Sequence, residues 1–278
     1  EVARCFTGWT FDMNAEWWGM TNTGAFAYKK DWHDRFNKFV LGQFLPADQL
    51  DMQDGRDVLD LLASHPGTAW HIAGKLCRRL IGDAPPRRIV AEAAAVFLAK
   101  RDAPDQIAQV VRAIVLSPEF AGTFGEKIKR PFEAAMGMLR AFNADMPHPR
   151  LLFWAYDAMG QPIFGRRPPD GYADKRAAWT NTISLYFRWR FAVALSENWF
   201  NDDKGKISVD LLRETPEERR APEAAVDYWS QRILMRSLPA AQRAALIDYL
   251  GNASDDTYWE YLTRMVQLIV MSPEFQLR

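Results

Sequence analysis

From about Asp57 onward, apolar residues recur at the three- and four-residue spacing of α-helices, and each run is stopped by Pro, Gly, Asp or Asn. A chain written this way buries its apolar residues by packing helix on helix. In "TAWHIAGKLCRRLIG", Ala69, Ile72, Ala73, Leu76 and Leu80 share one face, with Pro66 suited to a first turn and Gly82 to a stop. The same spacing predicts helices at about 86–99, 104–116, 131–142, 149–159, 181–198, 222–236, 239–250 and 256–271. The expected fold is mainly α, a set of packed antiparallel helical hairpins.

Two of these runs, "RAIVLSPEF" and "QLIVMSPEF", end in the same tetrapeptide. Offsetting the chain by 155 residues lays Ile107–Phe120 on Leu262–Phe275 with seven identities in fourteen positions, among them Val111/Val266, Ile114/Ile269 and Val115/Val270. A weaker echo precedes each copy, at Val96–Leu98 and Asp248–Leu250. The pattern reads as a repeated helix–loop–helix unit, with two copies too few for a solenoid. Proline disfavours helix in the serine before it and lacks an amide hydrogen, so the long helix must stop. The serine is then placed to cap a new turn and the phenylalanine to fold back on the finished helix. Proline and glutamate without a partner lack an acid–base pair, which makes the tetrapeptide architecture rather than a catalyst.

The first fifty residues differ. In "AFAYKKDWHDRFNKFVLG", Phe26 and Tyr28, then Phe36, Phe39, Val40 and Leu41, flank a polar turn and point to a short β-hairpin, although Phe36, Phe39 and Val40 also fit a helical face. The expected organisation is a helical domain over 1–200, with this hairpin segment inside 1–50, and a helical unit over 201–278 that echoes 84–123. The 35 basic and 35 acidic residues cancel, which argues against a nucleic-acid binder and leaves only local patches to attract charge. Cys5 and Cys77 lack metal-ligand spacing and read as small buried hydrophobes. No window approaches the roughly 18 apolar residues of a membrane span. Because the sequence opens on Glu1, the lack of a signal peptide says nothing about export.

Candidate chemistry is sparse. His71, Lys75, Arg78 and Arg79 lie opposite the apolar face of their helix, and "EKIKRPFE" places Lys127, Lys129 and Arg130 just before a helix that starts at Pro131. This arrangement suits a carboxylate, sulfate or phosphate, or else a solvated face with internal salt bridges to Glu126 and Glu133. His33, His65, His71 and His148 are the four histidines; His65 and His71 are six apart, off the spacing of a helical metal pair. "WHDRFNK" sets His33, Asp34 and Lys38 in a turn, as an acid–base group or a hydrogen bond that fixes the turn. Asp51, Asp54 and Asp57 in "DMQDGRD" read as a turn into a helix, not a calcium loop. Nucleophile-elbow, phosphate-loop and dinucleotide motifs are missing, and nothing in the chain points to a cofactor or a metal.

"MGQPIFGRRPPDGYADKRAAWTN" is a long segment rich in Gly, Pro and Arg between two helices. Gln161, Asp170, Tyr172, Trp179 and Asn181 either present groups to a ligand or belong to an Ω-like loop packed by its own Tyr172 and Trp179. Trp17, Trp18, Trp32 and Trp179 fall in loops, where an indole can stack on a sugar ring, whereas Trp154, Trp189, Trp229 and Trp259 fall on helices and are expected inside.

The order of "ARCFTGW", "HDRFNKFVLG", "DGRDVLDLLASHPGTAWHIAGKLCRRL", "SPEF", "EKIKRPFE", "MGQPIFGRRPPDGY" and "WTNTISLYFR" resembles the C-terminal two-thirds of the bacterial domain of unknown function 1800 family, over roughly residues 1–200. The family's N-terminal helices are not matched, and the stretch after about Asn201 is less typical. The resemblance implies a mainly helical, usually exported bacterial protein, periplasmic or extracellular, often encoded beside a sulfatase-like exported family (domain of unknown function 1501) that would be its partner. It implies no reaction.

Two functional readings follow. In the first, a binding or assembly protein turns Lys75, Arg78, Lys127, Lys129, Glu133, Gln161, Asp170, Tyr172 and Trp179 toward a partner protein or an anionic or glycan ligand. In the second, a hydrolase or modifying enzyme of a cell-envelope polymer uses His33 or His65 with Asp34, Asp54 or Asp170, which requires those groups to converge in one cleft. A purely structural scaffold is the third possibility.

Overall fold

The computed structural model describes residues 1–11, 24–146, 150–199, 201–202 and 205–278. The chain divides into two compact units, Glu1–Cys77 with Pro86–Ser117, and Arg78–Pro85 with Pro118–Arg278. The first carries α1 (Val2–Cys5), β1 (Trp9–Phe11), β2 (Phe26–Tyr28), β3 (Lys38–Val40), β4 (Gln43–Leu45), α2 (Gln53–Ser64), most of α3 (Pro66–Leu80), α4 (Arg87–Ala99) and α5 (Gln106–Val115). The second takes the last residues of α3, then α6 (Pro118–Ala121), α7 (Pro131–Ala141), α8 (Arg150–Ala158), α9 (Thr182–Ser196), β5 (Asn201–Asp202), β6 (Gly205–Lys206), α10 (Pro222–Leu234), α11 (Ala240–Gly251), α12 (Tyr258–Met271) and α13 (Pro273–Gln276). The fold is mainly α with small N-terminal hairpins, as the spacing predicts.

In the first unit the strands find partners other than each other. β2 pairs with β1, Trp9 opposite Tyr28, and β3 pairs with β4 across the two-residue turn Leu41-Gly42. Both turn residues have positive φ, 49° and 82°, which matches the strand twist of a tight hairpin and explains why Val40 doubles back at once. Val40 and Leu45 then face Cys5 and Val58 in a small core. α2 comes so close to the hairpin that a Cβ on Gly55 would lie 2.5 Å from the Trp9 ring, so only glycine fits there. α4 packs on α5 through the buried one-turn repeats Ile89, Ala93, Phe97 and Val110, Ile114.

The core of the second unit is built by α7, α9, α10 and α12, whose buried residues recur at helical spacing. Trp229 is fully buried at its centre, with its indole N–H donating to Thr215 Oγ1 at 3.0 Å and Phe142 meeting it edge-on. Gly137 on α7 leaves room for the Phe275 ring, whose Cζ would sit 3.3 Å from an added Cβ.

Both proline stops act as expected: α5 and α12 end before their SPEF segments, and short helices start at Pro118 and Pro273. The serines also act backwards. Each hydroxyl closes the finished helix, Ser117 Oγ donating to Ile114 O and Ser272 Oγ to Ile269 O, both at 2.7 Å, and Ser272 makes no side-chain cap bond to the helix that follows. The following helix has four residues and opens on a proline with no N–H, whereas the carbonyl three residues back, which already takes the serine's own N–H, has a second lone pair to offer. Phe275 is buried and Phe120 half-buried. Beyond the second copy the chain pairs antiparallel with 127–129: Lys129 N–H donates to Gln276 O and Arg278 N–H to Lys127 O.

Candidate functional site

His33 and Asp54 do meet in the first unit. Thr7 O accepts from His33 Nδ1 at 2.9 Å, and Nε2 lies 3.4 Å from Asp54 Oδ2. Asp54 also holds Gln49 Nε2 and the buried Lys38 Nζ, at 2.8 and 2.5 Å. Lys38 completes its three bonds on the carbonyls of Asp34 and Phe36. Asp34 forks onto Arg4 at 2.8 and 3.1 Å, and that guanidinium holds its carboxyl well below the ordinary carboxylate range. A cavity of about 180 Å³ opens beside the network, lined by His33, Asp54, Tyr28 and Asp48 among others. Both imidazole nitrogens have protein partners, the geometry of a histidine that fixes a turn.

The other candidates for acid–base work stand in separate networks. His65 joins α2 to α3, its Nδ1 accepting from Gly67 N–H at 3.0 Å. Asp170, in the second unit, is exposed and forks onto Arg166 at 3.0 Å. His71 and Lys75 are exposed on α3. Trp17, Trp18 and His148 lie outside the described residues.

Several predicted binding residues gather at the start of α7 in the second unit. Glu133 accepts from the N–H of Arg130 at 2.9 Å, and Gln161 Oε1 accepts from that of Phe132 at 3.0 Å, so two orphan donors of the helix are met. Around the Glu133 carboxylate stand Arg79, Arg278 at 3.4 Å and Arg130 at 3.7 Å. Burial alone would raise Glu133, but these donors outweigh it and hold it below its ordinary value. Lys127 is buried and spends its three donors on Arg78 O, Asp83 Oδ1 and Asp174 O. Lys129 has no such set: its Nζ lies 3.7 Å from the centre of the Phe275 ring, and burial pushes it down to about 8.

That depression has a sign. Between about 8 and the ordinary 10.5 the unfolded chain holds a proton on Lys129 that the folded chain has lost, so this group makes stability rise with pH across that window. Lys129→Met is expected to remove the rise. The check is the difference in unfolding free energy between parent and variant at about pH 7.5 and about pH 10; a difference that stays constant contradicts it.

Loop 160–181 closes on itself. Tyr172 Oη donates to Pro162 O at 2.5 Å, Trp179 Nε1 to Ala173 O at 2.8 Å, and the two rings lie 6.0 Å apart. Trp179 is buried, and Asn181 caps α9 through Ser184 N–H. This is the Ω-like alternative.

The helical tryptophans hold the surprise. Trp229 is inside, but Trp154, Trp189 and Trp259 are 56%, 43% and 55% exposed. Trp259 sits in the first turn of α12, ahead of the first buried residue, Leu262, and there it walls a cleft of about 690 Å³. Trp199, just past the end of α9 and 55% exposed, lines the same cleft. Glu197 orients it, Oε2 accepting from the indole at 3.0 Å while Oε1 accepts from Gln267 at 3.1 Å. Asn198 exchanges two bonds with the backbone of Val209, at 2.8 and 2.7 Å, and so pins the wall that carries Asp210. Glu260 and Arg264 of α12 complete the polar rim. A smaller apolar cavity of about 240 Å³ between Trp154 and Phe187 also has Trp199 in its lining.

Residues 1–277 match the sequence profile of the family described as "Protein of unknown function (DUF1800)". The chain belongs to this family. The DUF1800 match runs well past Asn201, so the second SPEF unit, the aromatic cleft and the α7 cluster all fall within it. No curated protein and no solved structure matches the chain. Among the described residues, no helix of this DUF1800 protein is long and apolar enough to cross a membrane.

Proposed function

We propose that this DUF1800 protein is a glycan-binding protein that takes neutral or amino sugars between Trp199 and Trp259. The observation that carries the reading is a cleft of about 690 Å³ with two half-exposed indoles and a carboxylate-rich rim. Pockets of roughly 300–1,000 Å³ suit small ligands, and a flat indole covers the C–H face of a sugar ring while carboxylates and amides take its hydroxyls. The rim carries Glu197, Asp210 and Glu260 against Arg264, which disfavours an acidic saccharide and favours an ammonium-bearing one. Because Asn198 and Glu197 hold the wall in place, little ordering is required on binding. The export that the family resemblance implies would set this cleft among envelope polysaccharides. The saturated His33 network supports binding over hydrolysis.

Titrating a panel of neutral and amino-sugar oligosaccharides by calorimetry tests the reading. Saturable binding is expected, with a loss of at least about tenfold in affinity on Trp259→Ala. A panel without saturable binding, or binding that Trp259→Ala leaves intact, rejects it.

A further inference from the structure

We propose that the cationic cluster around Glu133 in the second unit is a site for a small tetrahedral oxyanion, phosphate or sulfate. The key residue is Arg188 on α9, which is completely buried yet has no carboxylate partner among the described residues. Its Nη1 donates to Gln276 Oε1 at 3.1 Å, its Nη2 reaches Trp179 O only at 3.5 Å, and its Nε has no acceptor. One turn earlier on the same helix face, the Ser184 hydroxyl is also buried without a partner. A buried guanidinium is rare unless paired, and neighbouring buried donors left open mark the place of a water or an ion.

Charge decides between those two. Gln276, which Arg188 holds, pairs by its backbone with Lys129, and Arg278 follows two residues on. Among the described residues Lys129 Nζ meets only the Phe275 ring, and the Arg278 Nε has only its ion pair with Glu133 Oε2 at 3.4 Å, which makes no hydrogen bond. Arg79, Arg130, Arg278, Lys129 and Arg188 all act on one carboxylate, Glu133, with Asp174 in addition on Arg130 and Arg278. Water would fill one donor and leave the positive excess. A tetrahedral oxyanion brings both the charge and acceptors in several directions, the match that arginine forks favour. Burial pushes Lys129 down to about 8 and Arg188 to about 10, the response of cations short of an anion. The depth of Arg188 restricts the site to a compact ion and excludes a sugar phosphate.

The test is thermal unfolding of the full chain in sodium phosphate or sodium sulfate, against sodium chloride at equal ionic strength. A saturable upward shift of about 5 °C is expected with either ion in the millimolar range, and none with glucose 6-phosphate. Arg188→Met and, should that variant fail to fold, Lys129→Met are expected to lose most of the shift, while Trp259→Ala keeps it. A rise that grows linearly without saturating, or one equal in parent and variants, is the general salting effect of these ions and overturns the proposal. A shift with glucose 6-phosphate equal to that with phosphate overturns the restriction to a compact ion.

Discussion

Asp54→Ala is expected to cost the first unit about 3–5 kcal/mol of folding free energy, the penalty for leaving a buried charge without its counter-ion. Lys38 has no side-chain exposure and Asp54 almost none, and their contact is 2.5 Å. With the carboxylate removed, the ammonium keeps two carbonyls and the more distant Asp34 carboxylate at 3.7 Å, while His33 and Gln49 each lose a partner. The double change Lys38→Met with Asp54→Leu is expected to recover most of the loss, because an apolar pair of similar volume needs no solvation. Urea unfolding of both variants measures this. A loss below about 1 kcal/mol for Asp54→Ala would mean that water reaches Lys38 after all.

Trp229→Ala is the matching experiment in the second unit, with an expected loss of about 3–5 kcal/mol and a fall in melting temperature of about 10 °C. The side chain is fully buried, edge-on to Phe142 and under the guanidinium of Arg232 at 5.1 Å. Truncation leaves a cavity that four helices cannot collapse to fill, and Thr215 Oγ1 loses its donor. Trp259→Ala, in the same unit and on the surface, should stay within about 0.5 kcal/mol of the parent. If the two tryptophan variants melt together, the core does not depend on Trp229 in this way.

The contrast between those tryptophans also marks where sequence reasoning stops. Helical spacing located α3 to α5 and α7 to α12 within a few residues because burial on one face leaves a periodic trace; α10, expected over 222–236, ends at Leu234, where Met235 turns left-handed. A single aromatic residue leaves no such trace, so the outward Trp154, Trp189 and Trp259 read like the inward Trp229. The strand partners were hidden too. Leu41-Gly42 makes a tight turn without the Asn-Gly or Asp-Gly signal that announces one. Of the cationic cluster, Lys129 and Arg130 were legible from their place before a helix and Glu133 from its place in the first turn. Arg188 was not, since in "LYFRWRF" it resembles a solvated arginine and its partner Gln276 lies 88 residues on.

The pairing of Lys127 and Lys129 with Gln276 and Arg278 has a consequence for how the chain emerges from a ribosome. The first unit has all its residues once Ser117 is made, but the second also claims Arg78–Pro85 and cannot be sealed before Arg278 arrives. At about 5–20 residues per second, that interval lasts roughly ten to thirty seconds. Throughout it Arg78–Pro85, made early, waits for the rest of its own unit. The nascent chain is therefore most open to proteases and holdases in the segment that was translated early and is needed last.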